Sequence, residues 1–138
     1  MDCPFCKLDT GKNRIIRRGK TVFVMFSDPR LVKGHLLVIP KRHLERISEL
    51  NAEERKEVFE VLVEFQEKIL ARLTPGCDIR SNYRPFLKQS SLKVNHLHFH
   101  LLPRESEDEL YKKSMVFERG VFKDLGEGEA EEISVLFK

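Results

Sequence analysis

The chain has 138 residues, 41% of them hydrophobic, enough to bury one core but too few for two independent ones, so a single domain over 1–138 is expected. Charged residues make up 34%, yet 25 Lys and Arg against 22 Asp and Glu leave a net charge of only +3, and this interleaved balance singles out neither nucleic acid nor membrane as a partner. No apolar run approaches the roughly 18 residues of a membrane span, and Met1-Asp2-Cys3 lacks the basic and then apolar segments of a secretory signal, so a cytoplasmic protein is expected.

Taken in chain order, Arg14 to Arg17 and Thr21 to Phe26 flank Gly19-Lys20 and predict a hairpin of two antiparallel strands. Leu36-Leu37-Val38-Ile39, bounded by Gly34 and Pro40, is too short for a helix and predicts a buried strand. Asn51 can cap a helix, with Glu54 three positions later completing a capping box. Behind it Val58, Val61, Leu62, Phe65, Ile69 and Leu73 recur at steps of three and four, which lays one apolar stripe on a sheet. Thr74-Pro75-Gly76 ends that helix. A fourth strand is predicted at Cys77 to Ser81 and a fifth at Val94 to Leu102, separated by a polar and aromatic loop. Short helices are expected near Glu107 to Lys113 and Glu129 to Phe137. Five short strands and one long helix make an α+β domain.

Three of the five histidines are His96, His98 and His100, alternating with Leu97, Phe99 and Leu101. On a strand, positions two apart share one face at roughly 6.5–7 Å spacing, so the pattern predicts three imidazoles on one side and apolar residues on the other. Groups that titrate near neutral pH can serve there as nucleophiles, acid/base groups or metal ligands. A solvated face that merely carries histidine is the plain alternative, and a three-His metal site would strain a flat strand.

Cys3, Cys6 and Cys77 are an odd number for a disulfide framework and fit a reducing compartment. The Cys3-x-x-Cys6 spacing allows two thiolates to bind one tetrahedral zinc, with two further ligands needed, although a chance pair remains the alternative. Cys77 reads as a small buried hydrophobe.

The string His96-Leu97-His98-Phe99-His100-Leu101-Leu102 resembles the signature of the histidine triad (HIT) family. Cys3-Pro4-Phe5-Cys6, the stretch Gly34 to His43 (GHLLVIPKRH) and Pro103-Arg104 resemble other parts of that family's pattern, so the likeness covers 3–104 and leaves 105–138 as a charged extension. The resemblance implies a HIT-like five-stranded antiparallel sheet with one long helix and short peripheral helices, paired into a homodimer. It also implies a nucleotidyl hydrolase or transferase that breaks dinucleoside polyphosphates or nucleoside phosphoramidates at the α-phosphate.

In that reading His98 is the nucleophile and forms a nucleotidyl-histidine intermediate, with a backbone carbonyl beside the third histidine fixing its tautomer. His100 contacts the phosphate oxygens or leaving group, and His96 completes the triad. His35 lies close by in support, Asn82 contacts phosphate, and Asp28 is the candidate for the ribose hydroxyls. Where family members carry Gln four residues before the first histidine, this chain has Leu92; Gln89, Ser91 or Lys93 then supplies that polar contact. The resemblance assigns a zinc site to Cys3, Cys6, His43 and His96, and no organic cofactor is implied. The rivals are a nucleotide-binding or interaction module with little turnover, and a zinc-stabilised nucleic-acid module suggested only by Arg14, Arg17, Arg18 and Lys20.

Overall fold

The computed structural model describes residues 3–8 and 14–138; Met1 and Asp2, considered above for a signal segment, lie outside them. The chain forms two compact units, one ending at Ser106 and one spanning Glu107–Lys138. The first contains five strands, β1 (Ile15–Arg18), β2 (Val22–Phe26), β3 (Leu36–Pro40), β4 (Gly76–Arg80) and β5 (Phe99–Arg104), and one long helix, α1 (Ala52–Arg72). The strands form a single antiparallel sheet in the order β1-β2-β3-β5-β4. This is the α+β architecture expected. The second unit carries a π-helical turn, Tyr111–Met115, running into Val116–Glu118, and a helix over Glu127–Ser134.

Helix α1 begins where its cap dictates. Asn51 Oδ1 accepts from the Glu54 N–H at 2.8 Å, and the Asn51 N–H donates to Glu54 Oε1 at 2.9 Å, satisfying two backbone donors that the first turn would leave orphaned. Val58, Val61, Leu62, Phe65 and Ile69 are buried and pack against Val22, Val24, Leu36, Val38 and Leu101 of the sheet. Each such burial stabilises the fold by about 1.5–3 kcal/mol. Leu73, the last residue of the expected stripe, instead caps the helix and is 46% exposed.

The opposite sheet face carries Phe23, Met25, Leu37 and Ile39, covered by Phe5. Both faces are therefore apolar, which explains why β3 reads as an unbroken hydrophobic run rather than an alternating one. The β1–β2 turn is clamped from outside the sheet. The Glu57 carboxylate of α1 accepts from the backbone N–H groups of Lys20, Thr21 and Val22 and from the Thr21 hydroxyl. Partial burial works to raise this carboxyl, but the Thr21, Lys20 and Val22 donors prevail and hold it below its ordinary range.

The fifth strand is shorter than its sequence pattern predicts. It begins at Phe99, so His96 and His98 precede it and only His100 pairs within the sheet. The Leu97 N–H bonds to the Leu44 carbonyl at 2.6 Å, away from the ladder, while His96 turns inward and is only 1% exposed. Gly34 adopts φ 83°, a conformation that favours glycine, in the turn that leads directly to His35.

Candidate active site

Cross-strand pairing builds the site. Met25 pairs with Leu37, Leu37 with His100, and His100 with Arg80, and directly paired residues project from the same face of a sheet. His100 thus stands on the face opposite α1. His35 sits two residues before Leu37 and falls on this face too, its ring centroid 5.1 Å from that of His100. The His98 ring lies 4.9 Å from His100 and 5.2 Å from Phe5, edge-on in both cases. The histidines thus converge, but from one strand and two approach segments rather than from one regular strand.

Their hydrogen bonds fix where the protons are. A peptide N–H can only donate, and the Leu31 N–H meets His35 Nδ1 at 3.1 Å, so that nitrogen accepts and Nε2 carries the proton. His35 Nε2–H then donates to His100 Nδ1 at 2.8 Å, which leaves the His100 proton on Nε2. His98 is set the other way round. Its Nδ1–H donates to the His96 carbonyl at 2.6 Å, leaving a lone pair on Nε2. The acceptor is the carbonyl of the first histidine of the triad, not one beside the third. The Ser81 hydroxyl donates to the His98 carbonyl at 3.1 Å and fixes the main chain on the other side of the ring. The site therefore presents one imidazole with a free lone pair beside one with an outward N–H.

Electrostatics keeps these rings neutral. Burial, reinforced by the Arg80 charge and by His98, pushes His35 down to about 4. His100 falls to about 3, again mainly through burial, then through His98, His35 and Arg80. Burial also lowers His98, against the opposing pull of its bond to the His96 carbonyl.

The consequence for stability has a definite sign. An ordinary histidine titrates near 6.5, so below that pH the unfolded chain takes up protons that native His35 and His100 refuse, and stability falls as pH drops from about 6.5 toward 3. Lowered carboxylates such as Glu64, held at about 2 chiefly by Arg17, contribute only below about 4.5. The urea midpoint is expected to decline steadily from pH 6.5 to 4.5, and His35→Asn to flatten that decline. A midpoint equal at pH 7 and pH 5, or a slope unchanged in the variant, would contradict this account.

A second cluster adjoins the first through His96. Cys3, Cys6, His43 and His96 place one donor atom each within 4.8 Å of one another. Cys3 Sγ lies 3.3 Å and Cys6 Sγ 3.5 Å from His96 Nδ1, and Cys6 Sγ lies 3.3 Å from His43 Nδ1. Metal–sulfur bonds of about 2.3 Å and metal–nitrogen bonds of about 2.0–2.1 Å put the corners of a tetrahedral zinc about 3.3–3.8 Å apart, so the donor set fits such an ion. His96 Nε2–H donates to the Pro40 carbonyl at 2.8 Å, which leaves Nδ1 unprotonated toward the sulfurs, as a ligand requires. Arg42 steadies the turn that carries His43. Its guanidinium spans both carboxylate oxygens of buried Glu54, at 2.8 and 3.2 Å, and reaches the Glu49 carbonyl at 2.7 Å.

The remaining candidates surround the triad less closely. Asn82 and Ser91 are exposed on the 82–95 loop, and Asp28 is exposed in the turn between β2 and β3. Among the described residues, no hydrogen bond joins any of these three to the histidines. Gln89 Oε1 accepts from the Asn95 N–H at 3.1 Å, tying the loop to the residue before His96. Lys93 Nζ donates to the Leu87 carbonyl and to Asn95 Oδ1, so it too braces the loop. A shallow cleft along this loop is lined by Asn82, Tyr83, Lys93 and His96, and His98 is not among its lining residues. Sequence reasoning missed the groups that set the tautomers, because the Leu31 N–H and the His96 and Pro40 carbonyls belong to the main chain. Ser81 and Arg80 were equally silent, although Arg80 lies two residues before Asn82 on a predicted strand.

A family model for the HIT domain matches residues 8–107. This chain belongs to the HIT domain family. It is 30% identical over 113 residues to a HIT-like protein of Methanocaldococcus jannaschii, covering 80% of this chain and 85% of that protein. It is 28% identical over 113 residues to an adenosine 5'-monophosphoramidase of Schizosaccharomyces pombe, covering 78% of each. The crystal structure of a HIT family member from Bacillus subtilis superimposes with a TM-score of 0.73 at 24% identity, covering 99% of this chain and 95% of that one, which establishes the shared HIT fold.

Proposed function

We propose that this HIT protein is a nucleotidyl hydrolase acting through a covalent nucleotidyl-histidine. The observation that carries the reading is the opposed tautomers: a lone pair on His98 Nε2 beside an N–H on His100 Nε2. His98 Nε2 attacks the α-phosphorus, a phosphorus–nitrogen bond forms, and the bond to the leaving group breaks. A polyphosphate departs as an anion, whereas a phosphoramidate nitrogen enters protonated and leaves as a neutral amine.

The charge that develops on the His98 ring is stabilised by the His96 carbonyl on Nδ1–H, and His100 Nε2–H donates to the non-bridging or leaving oxygen. Water then adds to phosphorus, the phosphorus–nitrogen bond breaks with its electron pair returning to Nε2, and one water proton passes to solvent. Splitting one displacement into two in this way is the advantage of a covalent route. Similarity to a fungal phosphoramidase supports the substrate class.

Within the same proposal Asn82 contacts phosphate, Asp28 takes the ribose hydroxyls, and Gln89 or Ser91 lies toward the leaving group. Cys3, Cys6, His43 and His96 would hold a structural zinc, which contributes folding energy rather than chemistry. A cytoplasmic homodimer over the whole of 1–138 completes it.

Adenosine 5'-monophosphoramidate and a diadenosine polyphosphate test the reading directly. Release of AMP from at least one of them, saturable and abolished by His98→Ala, is the expected result. Absence of AMP release from both would refute the hydrolase reading.

A further inference from the structure

Among the described residues, Arg80 is the one charged residue that the pairing register places directly opposite a triad histidine. It lies on the last position of β4, paired across the strands with His100 and on the same sheet face. The row Met25, Leu37, His100, Arg80 runs from the apolar interior to this guanidinium, so the cation ends an otherwise uncharged line that leads to the reacting groups. Arg80 is half-buried, yet among the described residues its guanidinium forms no ion pair or hydrogen bond. Its neighbour on the same face, Asp78, is taken by Arg104 instead.

A guanidinium stays charged at every accessible pH and presents planar donors that match phosphate. Holding it partly out of water without an anion costs stability. The other groups here do not supply one, since His35, His98 and His100 are neutral rings and two of them present N–H donors along the chain of hydrogen bonds. The Arg80 charge is felt at the site, because it helps hold both His35 and His100 below their ordinary range.

We propose that Arg80 is a specificity-determining residue that binds the anionic part of the leaving group beyond the α-phosphate. The inference rests on the nucleotidyl hydrolase reading and sharpens it. His100 Nε2–H reaches the scissile group itself, and the cation beside it on β4 meets the next phosphate along. This chain is then tuned to phosphoanhydrides, which carry a charged phosphate as leaving group, over phosphoramidates, whose leaving amine is neutral and gains nothing from the guanidinium.

The test compares kcat/KM for diadenosine tetraphosphate and adenosine 5'-monophosphoramidate in the wild type, Arg80→Met and Arg80→Lys. A charge-assisted contact of this kind predicts that the ratio of the two falls roughly 10–100-fold in Arg80→Met and less in Arg80→Lys, which keeps the charge but loses the fork. An unchanged ratio, or equal loss on both substrates, overturns the proposal. Equal loss accompanied by a changed molecular mass in light scattering would assign Arg80 to subunit assembly instead and overturns it as well.

Binding separates this outcome from failure of the hydrolase reading. In a His98→Ala background, calorimetric affinities for ATP and AMP are compared with and without Arg80→Met. The preference for ATP should shrink by a similar factor when the guanidinium is removed, whether or not the wild type turns over either substrate. A preference that survives the substitution refutes the assignment. If Arg80→Met unfolds, Arg80→Lys and Arg80→Gln are judged by the same ratio.

Discussion

His98→Ala is expected to lose roughly 10⁴-fold or more in turnover, the scale on which deletion of an enzymatic nucleophile acts. The loss should fall on kcat, with nucleotide affinity largely retained. Neither of the other two triad histidines can take its place. His100 carries its proton on Nε2, its Nδ1 is occupied by His35, and His96 uses Nε2 on the Pro40 carbonyl and turns Nδ1 toward the cysteines. The smaller side chain also introduces no clash at this partly buried position, where His98 meets Phe5 and His100 edge-on. Rapid quenching of the wild type with radiolabelled nucleotide should trap an acid-labile phosphoramidate at His98. Wild-type turnover in His98→Ala, or label on another residue, would show the mechanism to be wrong.

Loss of the metal cluster should produce the largest change in stability. Two thiolates and two imidazoles around a divalent cation form a neutral set, and binding to such a set is linked to folding. Protein purified without chelator is expected to carry one zinc per chain. Cys6→Ser, or treatment of the wild type with chelator, should remove it and lower Tm by on the order of 10 °C. Elemental analysis and calorimetry check both parts. Zinc-free protein from a chelator-free preparation, or a Tm indifferent to chelator, would end the assignment.

Much of this was legible in the chain because local rules and tertiary demands agree. Asn51 and Glu54 announce the start of α1, and the three-and-four spacing from Val58 to Ile69 gives its buried face. Gly34 and Pro40 bracket β3, whose unbroken apolar run matches a strand covered on both sides. The histidine alternation points to rings that the fold does bring together, His98 beside His100, but it overstates the strand. A pattern of side chains records which way each points, not whether its backbone joins a ladder, and at Leu97 the backbone bonds to Leu44 instead.

The grouping of Cys3, Cys6, His43 and His96 was readable only through the family resemblance, since Cys6 lies 37 positions from His43 and 90 from His96. Arg80 left no trace, because its meaning lies in which residue the register sets opposite it. The sequence does not contain that register as a local signal.

The imidazole array is held at both ends by main chain. Its donor chain starts at the Leu31 amide, and its acceptor chain ends at the His96 carbonyl. A peptide carbonyl survives every amino-acid replacement, and a peptide N–H survives all but a change to proline. Missense variation can therefore remove a ring from this array or reshape the loops around it, but it has almost no means of erasing the two anchors from which the polarity of the rings is set. The handedness of the proton arrangement is in this sense inherited with the fold and not with any side chain.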